Sequence, residues 1–287
     1  MNLSPLNQTN IFSIENYLLE FIELYKKKKL PTKILLSGDK GFGKSTLAFH
    51  LVTYILSINE EYPYSVEEFK INPDNRSYKL TINGSNPNLY LVDTLSDKKS
   101  IDINQIRELI TNLNKSSFNN KERFIIFDNI ETLNISSSNA LLKILEEPPK
   151  NTYFILINND RFILPTLKSR CINFKIFLDH KTSISVINKI LGSDISNFIN
   201  KDLINYYLTP GQMYYFIEFF RMNKQNLKMS IDFLRGELNK LLNGGFDMNM
   251  LVVTKSLRGY YKNPDQIAHK VLADRMGVRD PGNKPSS

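Results

Sequence analysis

A parallel α/β sheet packed between helices is the fold this 287-residue chain predicts, and three observations carry that prediction. Ile34 to Leu36, an apolar strand end, runs through the glycine-rich stretch Gly38–Ser45 into an apolar-rich helical run. Phe124–Phe127 and Tyr153–Ile157 are short, continuously apolar segments, the pattern of parallel strands buried on both faces. Between such runs lie segments with helical spacing, as in Ile103, Ile106, Leu109, Ile110 and Leu113.

Taken in order, residues 11–29 place Ile14, Tyr17, Leu18, Phe21, Ile22 and Tyr25 on one face of an amphipathic helix. Lys26–Lys29 close it, read first as a solvated cap that suits the helix dipole and second as a patch for DNA phosphates, and Leu30-Pro31 stops it. Gly38-Asp39-Lys40-Gly41-Phe42-Gly43-Lys44-Ser45 is a full match to G-x-x-x-x-G-K-[ST]. Its glycines let successive amides turn inward around an anion, the following helix adds a positive N-terminus, and Thr46 is counted with Gly38–Ser45 among the nucleotide-binding residues. Lys44 is expected to reach the β- and γ-phosphates of a nucleoside triphosphate, and the Ser45 hydroxyl to complete a Mg²⁺ shell.

Residues 57–100 read as irregular and polar, with turns at Pro73-Asp74-Asn75 and Asn83-Gly84, before a strand at Asn88–Val92. A helix over Ile101–Leu113 follows, then the Phe124–Phe127 strand, which ends in Asp128. A carboxylate at a strand's C-terminal end lies where α/β sheets bind ligands, so Asp128 reads as the Walker B acid for Mg²⁺. Ser136–Pro149 reads as a helix with a serine N-cap, a buried stripe of Ala140, Leu141, Ile144 and Leu145, and a stop at Pro148-Pro149. The Tyr153–Ile157 strand leads into Asn158-Asn159-Asp160, then Leu164–Cys171 and a last strand, Ile172 to Phe177. Residues 179–225 form a small helical unit with a turn at Thr209-Pro210-Gly211. Residues 226–262 continue as amphipathic helix broken at Asn243-Gly244-Gly245, and 280–287 has a disorder-prone composition.

Composition narrows the function. Apolar content of 41% and charged content of 23% are those of a globular protein, and the length allows about two domains. No stretch is long and apolar enough for a membrane span, and the first residues lack signal-peptide character, so the expected compartment is the cytoplasm, without a membrane partner. One cysteine, Cys171, and three scattered histidines leave no disulfide and no zinc site. A net charge of +8 permits nucleic-acid contact, but an Asn/Ile/Lys-rich composition also accounts for it.

The P-loop, F-I-I-F-D, S-N-A-L-L-K-I-L-E-E-P-P and L-P-T-L-K-S-R-C together resemble the AAA+ ATPase subunits of bacterial clamp loaders, over about residues 8–215. Within that family the chain looks more like the DNA polymerase III delta-prime branch than the gamma/tau motor. The resemblance implies an AAA+ nucleotide-binding domain over 1–178, a helical lid over 179–225 and a helical collar over 226–287. The collar is either genuinely short or truncated. It also implies partners: gamma/tau-type and delta-type subunits in a hetero-oligomeric ring, the sliding clamp, and primed DNA held without sequence preference. Arg170 matches the arginine finger that acts on a neighbouring subunit's nucleotide. Cys171 is then a buried small residue and Lys168 a solvated one.

Departures from the family pattern matter as much. Where motor subunits carry glutamate after the Walker B aspartate, this chain has Asn129, an amide that can orient water but not take its proton. Glu131 could substitute if the strand ends before it. The sensor region reads Asn158-Asn159, and Gln212 stands where the lid arginine is expected. A phosphate cradle with weakened catalysis and an intact finger suits a delta-prime-type subunit with little hydrolysis of its own. The alternative is an active, DNA-dependent AAA+ ATPase of gamma/tau type.

Overall fold

The computed structural model describes residues 4–95, 98, 100–114, 119, 121–198 and 208–222. The collar expected over 226–262 and the tail at 280–287 lie outside these residues. Two compact units emerge: Met1–Lys189 together with Thr209–Gly211, and Ile190–Leu208 together with Gln212–Ser287.

Five strands make the first unit's sheet: β1 (Lys33–Ser37), β2 (Leu89–Val92), β3 (Arg123–Phe127), β4 (Thr152–Asn158) and β5 (Ile172–Lys175). All pair in parallel, in the spatial order β2-β3-β4-β1-β5. Registers such as Leu35↔Leu156 and Phe127↔Leu156 bring the C-terminal ends of β1, β3 and β4 to one edge. Parallel strands need crossover connections, and the chain supplies α2 (Lys44–Ser57), α3 (Arg76–Ile82), α4 (Ile103–Leu113), α5 (Ile135–Glu146) and α6 (Pro165–Lys168) between them, with α1 (Glu15–Lys26) before β1 and α7 (His180–Leu191) after β5.

Continuous apolar runs bury both faces because successive side chains alternate. Leu35, Ile125, Phe127, Phe154 and Leu156 join Ile106, Leu109, Leu113, Leu141 and Leu145 in one core beneath α4 and α5. Their neighbours Ile34, Leu36, Phe124, Ile126, Ile155 and Ile157 are equally buried and alternate with them along the strands. There Phe21 of α1 meets Phe174 of β5 edge-on, with ring centroids 4.7 Å apart. Each such side chain contributes roughly 1.5–3 kcal/mol. α2 is buried almost all round rather than along one stripe, down to His50 and Ser57. A helix flanked by sheet, α1 and α3 has little solvent-facing side left.

Several local expectations are corrected. The 57–100 stretch contains α3, N-capped by the buried Asn75, whose side chain accepts from the Tyr78 amide. Seven residues are too few for a helical period to show in sequence. The α5 cap is Asn134, not a serine; it accepts from the amide and hydroxyl of Ser137. Only Lys26 lies in α1, since Lys27 is its C-cap and Lys28 turns left-handed at φ 55°. Strand β5 stops at Lys175, after which the Ile176 amide still donates to Ser37 O at 2.8 Å. Cys171 is partly rather than fully buried, packed against the α4/α5 core.

In the second unit the described residues include a 3-10 turn, Ile195–Asn197, capped by Asp194, and most of α8 (Pro210–Met222). Ile195, Met213 and Ile217 are buried. Among the described residues no helix is long and apolar enough to cross a membrane.

Candidate functional site

The glycine loop links β1 to α2 at the C-terminal edge of the sheet. Gly38, Gly41 and Gly43 all have positive φ, at 136°, 99° and 79°. A Cβ on Gly38 would come within 2.2 Å of Ile176 O, so this tight passage requires glycine. Gly43 caps α2 in the left-handed conformation, and Phe42 is buried beneath the loop. Lys44, only 3% exposed, folds over the loop and donates to Gly38 O and Asp39 O, each at 2.7 Å. Burial pushes its pKa down to about 8, against the opposing pull of Asp128, Glu131, Asp39 and Asp160. It is therefore still a cation at neutral pH. Lys40 and Gly41 offer their carbonyls elsewhere, to Thr209 Oγ1 at 2.8 Å and to the Gly211 amide at 3.1 Å.

Ser45 stands in the first turn of α2, with Thr46 beside it and part-buried. Its hydroxyl donates to Asp128 Oδ2 at 2.6 Å, joining two residues 83 positions apart. Burial raises the Asp128 carboxyl above its usual range; the Ser45 hydrogen bond opposes this, and the nearby Asp93 adds to it. A hydroxyl and a carboxylate converging beside the loop are the oxygen donors that a hard divalent cation takes, so Ser45 and Asp128 fit Mg²⁺.

Asn129 is in the left-handed region at φ 55° and opens a 3-10 turn, Ile130–Thr132. Its amide nitrogen donates to Asp93 Oδ1 at 2.7 Å, and its oxygen accepts from Asn159 Nδ2 at 2.9 Å. Glu131 takes hold of Asn159 twice, at the side-chain amide (3.0 Å) and the backbone N–H (3.3 Å). The ends of β2, β3 and β4 are thus tied together through Asp93, Asn129, Glu131 and Asn159. Asn158 is not part of this network: it is buried, donates to Arg161 O at 3.0 Å and accepts from the Arg161 amide.

Asp93 is the site residue that sequence reasoning missed. Its signal was present, because L-Y-L-V-D ends a strand in aspartate just as F-I-I-F-D does. A capping box at the start of α4 holds it from behind: Gln105 Oε1 accepts from the Asp102 amide, and Gln105 Nε2 donates to Asp93 O at 2.8 Å.

Arg170 lies apart, after α6. It pairs with Glu146 at the end of α5, and its second guanidinium nitrogen donates to Thr166 O at 2.8 Å. The pair is substantially solvent-exposed, so it orients the side chain at little gain in stability. Lys168 is exposed. Gln212 lies in α8 just past Gly211 and belongs to the second unit; the turn expected at Thr209-Pro210-Gly211 is instead the entry to that helix, which opens at Pro210.

Comparison with known proteins gives the following. The family model described as "DNA polymerase III, delta subunit" matches residues 15–179. The DNA polymerase III subunit delta′ of Pseudomonas aeruginosa is 30% identical over 139 residues, 48% of this chain and 40% of that protein. A DNA polymerase of Pyramimonas orientalis virus is 58% identical over 66 residues, 23% of this chain and 6% of that protein. The chain thus spans less than half of the delta′ relative and a small fraction of the viral polymerase. Among solved structures, a DNA polymerase III gamma subunit-related protein from Thermotoga maritima aligns over 93% of this chain and 94% of that one, at 17% identity and a TM-score of 0.48.

Proposed function

This chain belongs to the DNA polymerase III delta′ subunit family, and from that premise we propose that it is a clamp-loader subunit that binds Mg²⁺–ATP, hydrolyses it slowly, and lends Arg170 to a neighbour. One observation carries the reading: Lys44, Ser45 and Asp128 converge at the glycine loop, while the position expected to carry the base is an asparagine already engaged on both sides. The loop amides and the α2 N-terminus would take the phosphates. Lys44 would exchange its two loop carbonyls for phosphate oxygens. Ser45 and Asp128 would hold the cation, which neutralises phosphate charge. Asn129 can orient a water but has no basic oxygen to receive its proton.

In this reading the 1–178 region is an AAA+ nucleotide-binding domain, 179–225 a lid and 226–287 a collar. Gamma/tau-type and delta-type subunits complete the ring, which places a sliding clamp on primed DNA in the cytoplasm, and Arg170 acts across a subunit boundary. Release from Glu146 would free its guanidinium for a partner's γ-phosphate. A second reading, an active motor of gamma/tau type, draws on Glu131, a carboxylate close enough to act on Lys44 electrostatically.

Steady-state hydrolysis and binding of a fluorescent ATP analogue by the purified chain separate the two. Binding without turnover, together with partner ATPase activity that is lost in Arg170→Ala, supports the delta′-type subunit. Robust turnover by the chain alone, abolished by Glu131→Gln, establishes the motor instead.

A further inference from the structure

Four consecutive carbonyls of the glycine loop each accept a hydrogen bond from outside the loop's own backbone. Lys44 Nζ donates to Gly38 O and Asp39 O, Thr209 Oγ1 to Lys40 O, and the Gly211 amide to Gly41 O. The last two donors come from the entry to α8, its first helical turn, 169 and 170 residues away in sequence from the carbonyls they reach. Contact there is close enough to dictate residue type. A Cβ on Gly211 would lie 2.7 Å from Gly41 Cα, and one on Gly41 would lie 2.3 Å from Thr209 Oγ1. Thr209 is 1% exposed, so its hydroxyl is no surface group finding a chance partner.

We propose that Thr209 and Gly211 are positioning residues for the phosphate loop: by holding the carbonyls of Lys40 and Gly41 they keep the loop shaped for a triphosphate before one arrives. The sign follows from which groups are used. A blocking turn would offer acceptors to the loop's amides, the groups an anion needs. This one offers donors to the carbonyls and leaves the anion-binding side to the ligand. Division of labour between the two donor pairs follows as well. When phosphate enters, Lys44 is drawn to it and lets go of Gly38 O and Asp39 O. The two bonds from the turn persist and hold the loop through the exchange. Pre-ordering lowers the entropic cost of binding. The inference rests on the nucleotide reading above, and its test includes a readout that needs no nucleotide.

Hydrogen–deuterium exchange of the peptide spanning residues 38–46 is measured on the full chain without ligand, for wild type, Thr209→Ser, Thr209→Val and Gly211→Ala. Titration with a fluorescent ATP analogue and Mg²⁺ follows on each. Thr209→Val and Gly211→Ala are expected to speed loop exchange and to weaken the analogue about three- to tenfold, the size of one or two lost hydrogen bonds. Thr209→Ser, which keeps the hydroxyl, restores both. Unchanged exchange in Thr209→Val overturns the proposal. Tighter analogue binding in either disruptive variant also overturns it and makes the turn a latch. If wild type binds no analogue, the nucleotide reading fails, while the exchange comparison still decides whether the turn orders the loop.

Discussion

The glycine loop and the strand ends opposite it face the same point but are built in different ways. The loop is contiguous: eight residues, Gly38–Ser45, running from the end of β1 into the first turn of α2, carry its glycines, its lysine and its hydroxyl. The opposite wall gathers Asp93, Asn129, Glu131 and Asn159 from the ends of three strands, joined by hydrogen bonds that skip 28 to 36 residues, with Asp128 beside Asn129. A local motif can be changed one residue at a time with local effect. A network transmits each change to its neighbours, because every partner's polar group is left unsatisfied when one is removed.

The sharpest separation should come from Lys44→Ala. It removes two charge-assisted bonds worth about 2 kcal/mol each, so the fluorescent ATP analogue should bind about a thousandfold more weakly. Thermal unfolding should show the wall intact. An analogue affinity within a few-fold of wild type would mean the loop alone does not hold the ligand.

Next comes the helix behind the loop. His50 of α2 is fully buried, with Nε2 donating to Gln8 O and Nδ1 accepting from Tyr64 Oη. Burial lowers its pKa to about 4, from 6.5 when exposed. Between those values the unfolded chain binds the proton that the folded chain refuses. Stability contributed by the neutral ring is therefore complete above pH 6.5 and is lost as pH falls towards 4, by up to about 3 kcal/mol. Urea titrations at pH 7 and 4.5 should show this loss, and His50→Gln should flatten it.

Breaking the wall should cost less but spread further. Asn129→Glu, the obvious way to install a base, removes the donor to Asp93 Oδ1 and sets two carboxylates against each other. Stability should fall by about 2 kcal/mol with no gain in turnover. Pairing it with Asp93→Asn should recover stability and raise hydrolysis above wild type. Additive effects of the two substitutions would show that these residues are not coupled.

Smallest is a titration of the loop itself. With the Lys44 pKa at about 8, analogue affinity should fall as pH rises from 7 to 9, by about tenfold. Lys44→Arg, charged throughout, should abolish that slope.

How much was legible in the sequence follows the same division. Strand β1, the glycine loop and α2 were readable because every residue involved lies within one window, and glycine, lysine and serine at those spacings have few other uses. Asp128 could be read from its place after an apolar run. The capping residues Asn75 and Asn134 and the helix α3 escaped because short helices and competing polar neighbours give no period to follow.

By itself the sequence determined the order of the strands and, α3 apart, of the helices between them, which segments lie buried on both faces, and the glycine-rich link from β1 to α2, since all of these depend on neighbours a few residues apart. Only the tertiary structure decided that Asn129 is bridged between Asp93 and Asn159, that Glu131 holds Asn159 rather than standing free, that Arg170 rests on Glu146, and that Thr209 and Gly211 at the entry to α8 donate to the loop's carbonyls. Those contacts join residues between 24 and 170 positions apart. Sheet register and helix packing set such distances, and no local spacing encodes them.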